Sequence, residues 1–315
     1  PGALRPIGSR VARLDYVVPC SFGGFGYRGR ATRCDESTRE DVAGKKVVVT
    51  GATSGLGRAG ALALARLGAE VHVVGRSEAG LAEVARAAEG HRVVAHRADL
   101  SCLGELQMLA SRLTAHAPID VLIHNAGVLL DERTLTEDGL ETSFATNVLA
   151  GFVLTRALAD ALTPRTGRVI NVTSGGMYLA RLDVDALAHG PDPWDGTKAY
   201  ALHKRAQVVL TELWAERLAP RGVRVDAYHP GWADTAGVSR SLPRFRKLLG
   251  PWLRSAEEGA DTMVYLASHR LNEPSGSLWL DRQVVRKHIA SFTETSPGDA
   301  ERLFSLCEEL ASRRS

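Results

Sequence analysis

A β-branched run, KVVVT (46–50), leads straight into a glycine-rich turn, TGATSGLG (Thr50 to Gly57), which opens a small-residue helical stretch, RAGALALARLG. Strand, glycine turn and helix in that order constrain a chain strongly. The strand ends at a turn only glycine takes easily, and the helix must then cross back over the sheet. Gly51, Gly55 and Gly57 permit a tight turn and close approach of a diphosphate. The free N–H groups at the start of the helix face an anion. Thr53, Ser54, Leu56 and Arg58 complete the segment expected to hold it. The spacing is G-x-x-x-G-x-G, not the commoner G-x-G-x-x-G.

The same alternation continues along the chain. EVHVV (70–74), RVVA (92–95), DVLIH (120–124), RVINVT (168–173) and VRVDAY (223–228) predict further strands, and SLWL (277–280) a last one. They are apolar on both alternating faces, as in a parallel sheet covered by helices. GELQMLASRL, the apolar run from Thr142 to Leu162 and AYALHKRAQVVLTELWAERL predict helices between them. The expected fold is therefore α/β, a Rossmann-like doubly wound parallel sheet of about seven strands with helices on both faces. Ser255-x-x-Glu258 predicts a capping box, and Ser296-Pro297 starts a terminal helix with Leu303, Phe304, Cys307 and Leu310 as its apolar stripe. The expected organisation is a basic extension over 1–43, a single α/β body over 44–290 and a helical tail over 291–315.

Charge separates the extension from the body. Residues 1–34 hold six arginines and one acid, Asp15, so a net charge of +3 leaves the remainder at −2. A nucleic-acid partner for the body is not expected. The arm also carries Val17, Val18, Phe22, Phe25 and Tyr27. Two readings stand: contact with an anionic membrane surface, or an extension packed over the body or partly disordered. No apolar run reaches the ~18–20 residues of a membrane span, and PGALRPIGSR lacks the apolar centre of a signal peptide. Cys20, Cys34, Cys102 and Cys307 show no C-x-x-C spacing, which predicts reduced thiols in a cytoplasmic protein and no metal site.

The second strand ends in Gly75-Arg76-Ser77, and no acid appears before Glu78. A carboxylate for a ribose 2′-hydroxyl is therefore absent from its usual place. Arg76, helped by Arg58, suits a 2′-phosphate, so NADP(H) is expected over NAD(H). Asp99, followed by Leu100, comes after the third strand, placed either to accept from an adenine amino group or to begin a helix.

Tyr200 and Lys204 lie four apart in AYALHK, on one face of a helix. A nearby ammonium favours a phenolate, so the pair is expected to make a proton-transfer group. Asn125, Ser174 and His229-Pro230 each follow a predicted strand, where ligands bind in a doubly wound sheet.

These motifs together resemble the short-chain dehydrogenase/reductase family across 45–290. The resemblance is carried by TGATSGLG at 50–57, Asn-Ala-Gly at 125–127, Asn147, Ser174, YALHK at 200–204 and HPGWADT at 229–235. Likeness to one subtype rests on LTEDGLE (135–141), VTSGGM (172–177), KRAQVVLTELWA (204–215) and EEGADTM (257–263). His124 departs from the second Asn many relatives carry there. The resemblance implies Tyr200 as general acid in reduction or base in oxidation. It implies Lys204 as holder of the nicotinamide ribose, Ser174 as donor to the substrate oxygen and Asn147 as holder of a relay water. Asn125, Ala126 and Gly127 would line the cofactor cleft, while Pro230, Gly231, Trp232 and Thr235 would shape the nicotinamide pocket.

The implied reaction is hydride transfer between NADP(H) and a small-molecule carbonyl or alcohol. Met177, Tyr178, Leu179, Trp194, Trp232 and the segment 238–253 are candidate contacts for a lipophilic substrate, or else local packing. A silent NADP-binding scaffold or redox sensor is the alternative, and a Rossmann-like methyltransferase a third that leaves Tyr200, Lys204 and Ser174 without a role. The apolar run 142–162 must be buried on more than one side. It predicts a homodimer or homotetramer, or cover from the arm or the terminal helix within one chain.

Overall fold

The computed structural model describes residues 22–24, 27, 40–233 and 253–313. Among them one eight-stranded sheet runs in the order β3-β2-β1-β4-β5-β6-β7-β8. Its strands are β1 (Lys46–Thr50), β2 (Glu70–Gly75), β3 (Val93–Arg97), β4 (Val121–His124), β5 (Arg168–Val172), β6 (Arg224–Tyr228), β7 (Leu278–Leu280) and β8 (Gln283–Val285). The first seven pair in parallel and β8 runs antiparallel to β7. The helices are α1 (Gly55–Arg66), α2 (Glu78–Ala87), α3 (Leu103–Thr114), α4 (Ala150–Leu158), α5 (Gly196–Leu218), α6 (Ala256–Ser268) and α7 (Pro297–Ala311). Chain order reverses between β1 and β4, which opens the cleft of a doubly wound sheet at their carboxyl ends.

Both sheet faces are covered, which is why β1 can be Val-Val-Val. Val47 and Val49 join the core with Leu64 of α1 and Leu266 of α6. Val48 joins the opposite core with Leu106 and Leu109 of α3 and Leu154 of α4. Both predicted caps are present: Ser255 and Glu258 form a reciprocal capping box, and the Ser296 side chain accepts from Asp299 N–H.

Three elements differ from expectation. The eighth strand follows a two-residue turn, Asp281-Arg282, with φ of 50° and 62°. That is the left-handed geometry of a tight hairpin, reached without the Asn-Gly or Asp-Gly that would have announced it. Helix α2 has only Leu81 and Val84 as buried anchors, too few to stand out as a periodic stripe. The run from Thr142 to Leu162 is not one helix. A short turn (Thr142–Phe144) and a π-helical turn (Ala145–Leu149) precede α4, which ends at Leu158.

The apolar face of that run is covered from within the chain. Phe304 of α7 lies edge-on to Phe152 at 4.8 Å and to Trp214 of α5 at 5.1 Å between ring centroids. Arg217 stacks over Phe304, and Arg156 pairs with Glu308 at 3.2 Å. Among the described residues, the terminal helix, one of the expected coverings, packs on this face. No described helix is long and apolar enough to cross a membrane.

Candidate active site

The first half of the site is main chain. Gly51 and Gly55 adopt φ of 64° and 52°. A Cβ on Gly57 would lie 2.3 Å from Asn125 Nδ2 and 2.4 Å from the Gly51 carbonyl oxygen, so no side chain fits. Asn125 ties this turn down: its Nδ2 donates to the carbonyls of Thr50 (2.9 Å) and Gly51 (3.1 Å). Thr50 Oγ1 accepts from the main-chain N–H of Asn125 and Ala126. The amide of Asn125 is thus spent on holding the cradle. Ser54 occupies the N-cap of α1 without a side-chain capping bond, and the first turn carries no acid. The Thr53 methyl packs where a Cβ on Gly75 would fall, at 2.5 Å, while Leu56 packs on the core beside Gly259.

At the end of β2, Arg76 is exposed and lies 3.6 Å from Asp99. Arg58 pairs at 3.6 Å with Glu83. Asp99 Oδ1 accepts from the N–H (2.9 Å) and the hydroxyl (2.7 Å) of Ser101. Burial raises the Asp99 pKa, but the Ser101 bonds and Arg76 together outweigh it and hold the carboxyl below its ordinary value. Leu100 buries its side chain in the core, so only its main chain is left to face a ligand.

The second half is made of side chains. Ser174 follows β5, and its hydroxyl accepts from the Gly176 N–H at 3.4 Å. Burial is the larger influence on Tyr200 and raises its pKa; the Ser174 hydroxyl acts the other way. This differs from the expected lowering by Lys204, whose ammonium lies 5.4 Å from the Tyr200 ring centroid and is aimed elsewhere. Lys204 Nζ donates to the Val172 carbonyl at 2.9 Å and to Gln207 Oε1 at 3.0 Å, and burial pulls its pKa down to about 7. A Cβ on Gly127 would sit 3.3 Å from Lys204 Nζ and 3.4 Å from Asn147 Oδ1, so the Asn-Ala-Gly turn joins the two halves.

Asn147 lies in the π-helical turn. Its side chain clamps Val128, accepting from the N–H at 2.7 Å and donating to the carbonyl at 2.8 Å. Its own carbonyl accepts from Gln207 Nε2 at 2.6 Å. Gln207 therefore bridges Lys204 and Asn147 directly, a link the sequence reading missed. It lies three residues after Lys204 on α5, a spacing that places it beside the ammonium once the helix is assigned.

Arg254 and Asp281 are a second omission. They form a fully buried pair at 2.5 and 3.0 Å, and Arg254 Nη1 also donates to the Pro230 carbonyl at 3.1 Å. Gly231 has φ of 72°, and a Cβ there would strike the Arg254 guanidinium at 2.3 Å. The Trp232 main-chain N–H donates to the Phe22 carbonyl at 2.8 Å, and Phe22 meets His229 edge-on at 4.9 Å. The described part of the arm thus packs over the Pro230–Trp232 loop. Thr235 and nearly all of the segment 238–253 lie outside the described residues.

Among the candidate substrate contacts, Met177 and Tyr178 turn out to be packing. Both join a buried cluster with Val208 and Leu278, and the Tyr178 hydroxyl donates to the Arg286 carbonyl at 2.7 Å. Arg205, also fully buried, braces this segment by donating to the Met177 carbonyl. Leu179 is 79% exposed, and Trp194 packs against Gly190.

A family model described as short chain dehydrogenase matches residues 45–244. Dehydrogenase/reductase SDR family member 12 from Bos taurus is 40% identical over 86% of this chain and 88% of its own. Retinol dehydrogenase 12 from Bos taurus is 32% identical over 95% of each chain. A solved protein of unassigned function from Mycobacterium paratuberculosis superposes with a TM-score of 0.72 at 29% identity, covering 88% of this chain and 97% of its own. A provisionally assigned NAD(P)-dependent gluconate 5-dehydrogenase from Beutenbergia cavernae, solved with NADP at low occupancy, gives 0.58 at 31% identity, over 72% and 91%.

Proposed function

The chain belongs to the short-chain dehydrogenase/reductase family, and from that premise we propose an NADP(H)-dependent oxidoreductase acting on a carbonyl/alcohol pair, with Tyr200 as its acid/base. The observation that carries this reading is the buried Tyr200 phenol with the Ser174 hydroxyl acting on it and Lys204 beside it, set against a glycine cradle in which a Cβ on Gly57 does not fit. The cradle and the acid-free start of α1 suit a diphosphate. When bound, the nicotinamide supplies or accepts the hydride.

This chain's own residues handle orientation and the proton. Ser174 and Tyr200 would both hydrogen-bond the substrate oxygen, where negative charge develops in reduction. A phenol whose pKa burial has raised keeps its proton at neutral pH, which suits donation to that oxygen and hence the reductive direction. Lys204, held by Val172 and Gln207, would face the nicotinamide ribose. Arg76 and Arg58 favour the 2′-phosphate of NADP(H) over NAD(H), in keeping with the NADP bound to the Beutenbergia cavernae structure. To accept it, Arg76 would exchange its 3.6 Å contact with Asp99 for the phosphate. The retinol dehydrogenase relative supports a lipophilic carbonyl or alcohol as substrate.

The test is NADPH consumption with a panel of lipophilic and small carbonyls, NADH as comparator and Tyr200→Phe as control. Turnover with NADPH should fall about 10²–10⁴-fold in Tyr200→Phe while nucleotide binding persists. Undiminished turnover in that variant would sink the proposed role. Tight NADPH binding with no turnover on any carbonyl would favour a silent scaffold.

A further inference from the structure

On the sheet face covered by α3, three histidines converge. His72 lies in the middle of β2 and His96 on β3, two residues further along in register: His72 pairs with Val94, and His96 with Val74. Both therefore point to the same sheet face. His116 follows α3, the helix packed on that face. Its carbonyl accepts from Lys46 Nζ at 2.7 Å, which fixes the turn. The ring centroids are 4.6 to 5.8 Å apart, and one nitrogen from each ring lies within 4.8 Å of the others. His72 and His96 are buried; His116 is half-buried.

The fourth member is Glu70. Its Oε1 lies 3.1 Å from His72 Nε2, and its Oε2 pairs with Arg92 at 2.5 Å. With Nε2 engaged by a carboxylate, His72 presents Nδ1 inward, 2.9 Å from His96 Nε2. A carboxylate on the outer ring nitrogen is the usual support of a metal-binding histidine, fixing its tautomer and raising its basicity.

We propose that His72, His96 and His116 form a site for one divalent transition-metal ion of the zinc class, with Glu70 positioning His72. Metal–nitrogen bonds of about 2.0–2.1 Å are within reach of side-chain rotation from these positions, His116 making the larger movement. Three neutral imidazoles without a thiolate match Zn²⁺, Cu²⁺ or Ni²⁺ better than a hard cation. His116 is the least buried of the three histidines. Lys46 and Arg112 stand nearby and weaken the attraction for a dication; the Glu70 carboxylate offsets them. The ion would pin β3, the edge strand, to β2 and to the end of α3.

Zinc is the probe, added to the full-length, tag-free chain after exhaustive chelation. One zinc per chain should survive dialysis, and Tm should rise with free zinc as expected for a ligand that binds only the folded state. Cobalt in its place should give the visible absorption of a low-coordinate nitrogen site. Glu70→Gln should weaken zinc binding about 10–100-fold, and His116→Gln at least as much. His116 lies in a turn and is half-buried, so that variant should keep the circular dichroism of the parent. No retained zinc would overturn the proposal, leaving Glu70, His72 and His96 as a metal-free hydrogen-bonded chain. Equal retention in His116→Gln would overturn it too, placing the metal on other histidines.

Discussion

Around Gly51–Gly57 the candidate site is built of main chain: two left-handed glycines, a third that tolerates no Cβ, and one asparagine amide bonded to the turn. Around Tyr200 it is built of side chains drawn from β5, the π-helical turn, α5 and the β6 loop. The first kind of site needs space and free N–H groups, and eight consecutive residues supply both. The second needs long polar side chains held in a desolvated place, so each must be bonded to something else buried. Gln207, Arg254 and Asp281 are those supports, and their cost of removal is an unpaired group in the interior.

The contrast is broken most severely at Asp281. Asp281→Asn removes the carboxylate paired with the buried Arg254 guanidinium, and should cost about 3–5 kcal/mol in urea unfolding. A loss below about 1 kcal/mol would remove the pair from its place as anchor of the Pro230 loop. On the main-chain side, Gly57→Ala forces a methyl into Asn125 and the Gly51 carbonyl. It should destabilise by about 1–3 kcal/mol and abolish NADPH binding as followed by fluorescence titration. Retained affinity would mean the cradle yields more readily than its geometry implies.

A finer probe is Gln207→Leu, which strips Lys204 of one acceptor and leaves the Asn147 carbonyl without its donor. A cost of roughly 1–2 kcal/mol is expected. The pH dependence carries more information. Burial lowers Lys204 to about 7 from an unfolded value near ~10.4, so between those pH values the unfolded chain binds more protons. Stability contributed by this group therefore rises with pH across that window. Without the Gln207 acceptor the ammonium is held less well, and the rise should begin at lower pH. Denaturation midpoints that stay flat with pH in the parent would contradict the buried-ammonium picture. Smallest of all, Arg76→Ala should narrow the preference for NADPH over NADH by about tenfold, or roughly 1.4 kcal/mol, measured as a ratio of Kd values. An unchanged ratio would hand discrimination to another residue.

Legibility follows the same division. The sheet, its parallel pairing and the glycine turn were readable because β-branched runs and small-residue turns act over a few neighbours. The capping box at Ser255 was readable for the same reason. The hairpin to β8 was not, because its left-handed turn uses Asp281 and Arg282, with Asp281 held by Arg254 27 residues away. Met177 and Tyr178 have the composition of a substrate mouth, yet their burial against Val208 and Leu278 is set by how the segment folds onto α5.

By itself the sequence determined the fold class, the cradle and the order of polar residues along the strand ends, since each depends on local conformation and period. Tertiary structure alone decided that Gln207 links Lys204 to Asn147, that Phe304 covers the Phe152 face, and that His72, His96 and His116 meet. The histidines are 24 and 20 residues apart, and no short-range pattern records them. Only the register of β2 on β3 and the docking of α3 bring their rings together. Contacts of that kind depend on where whole elements pack, and packing is a property of the assembled core rather than of any window of the chain.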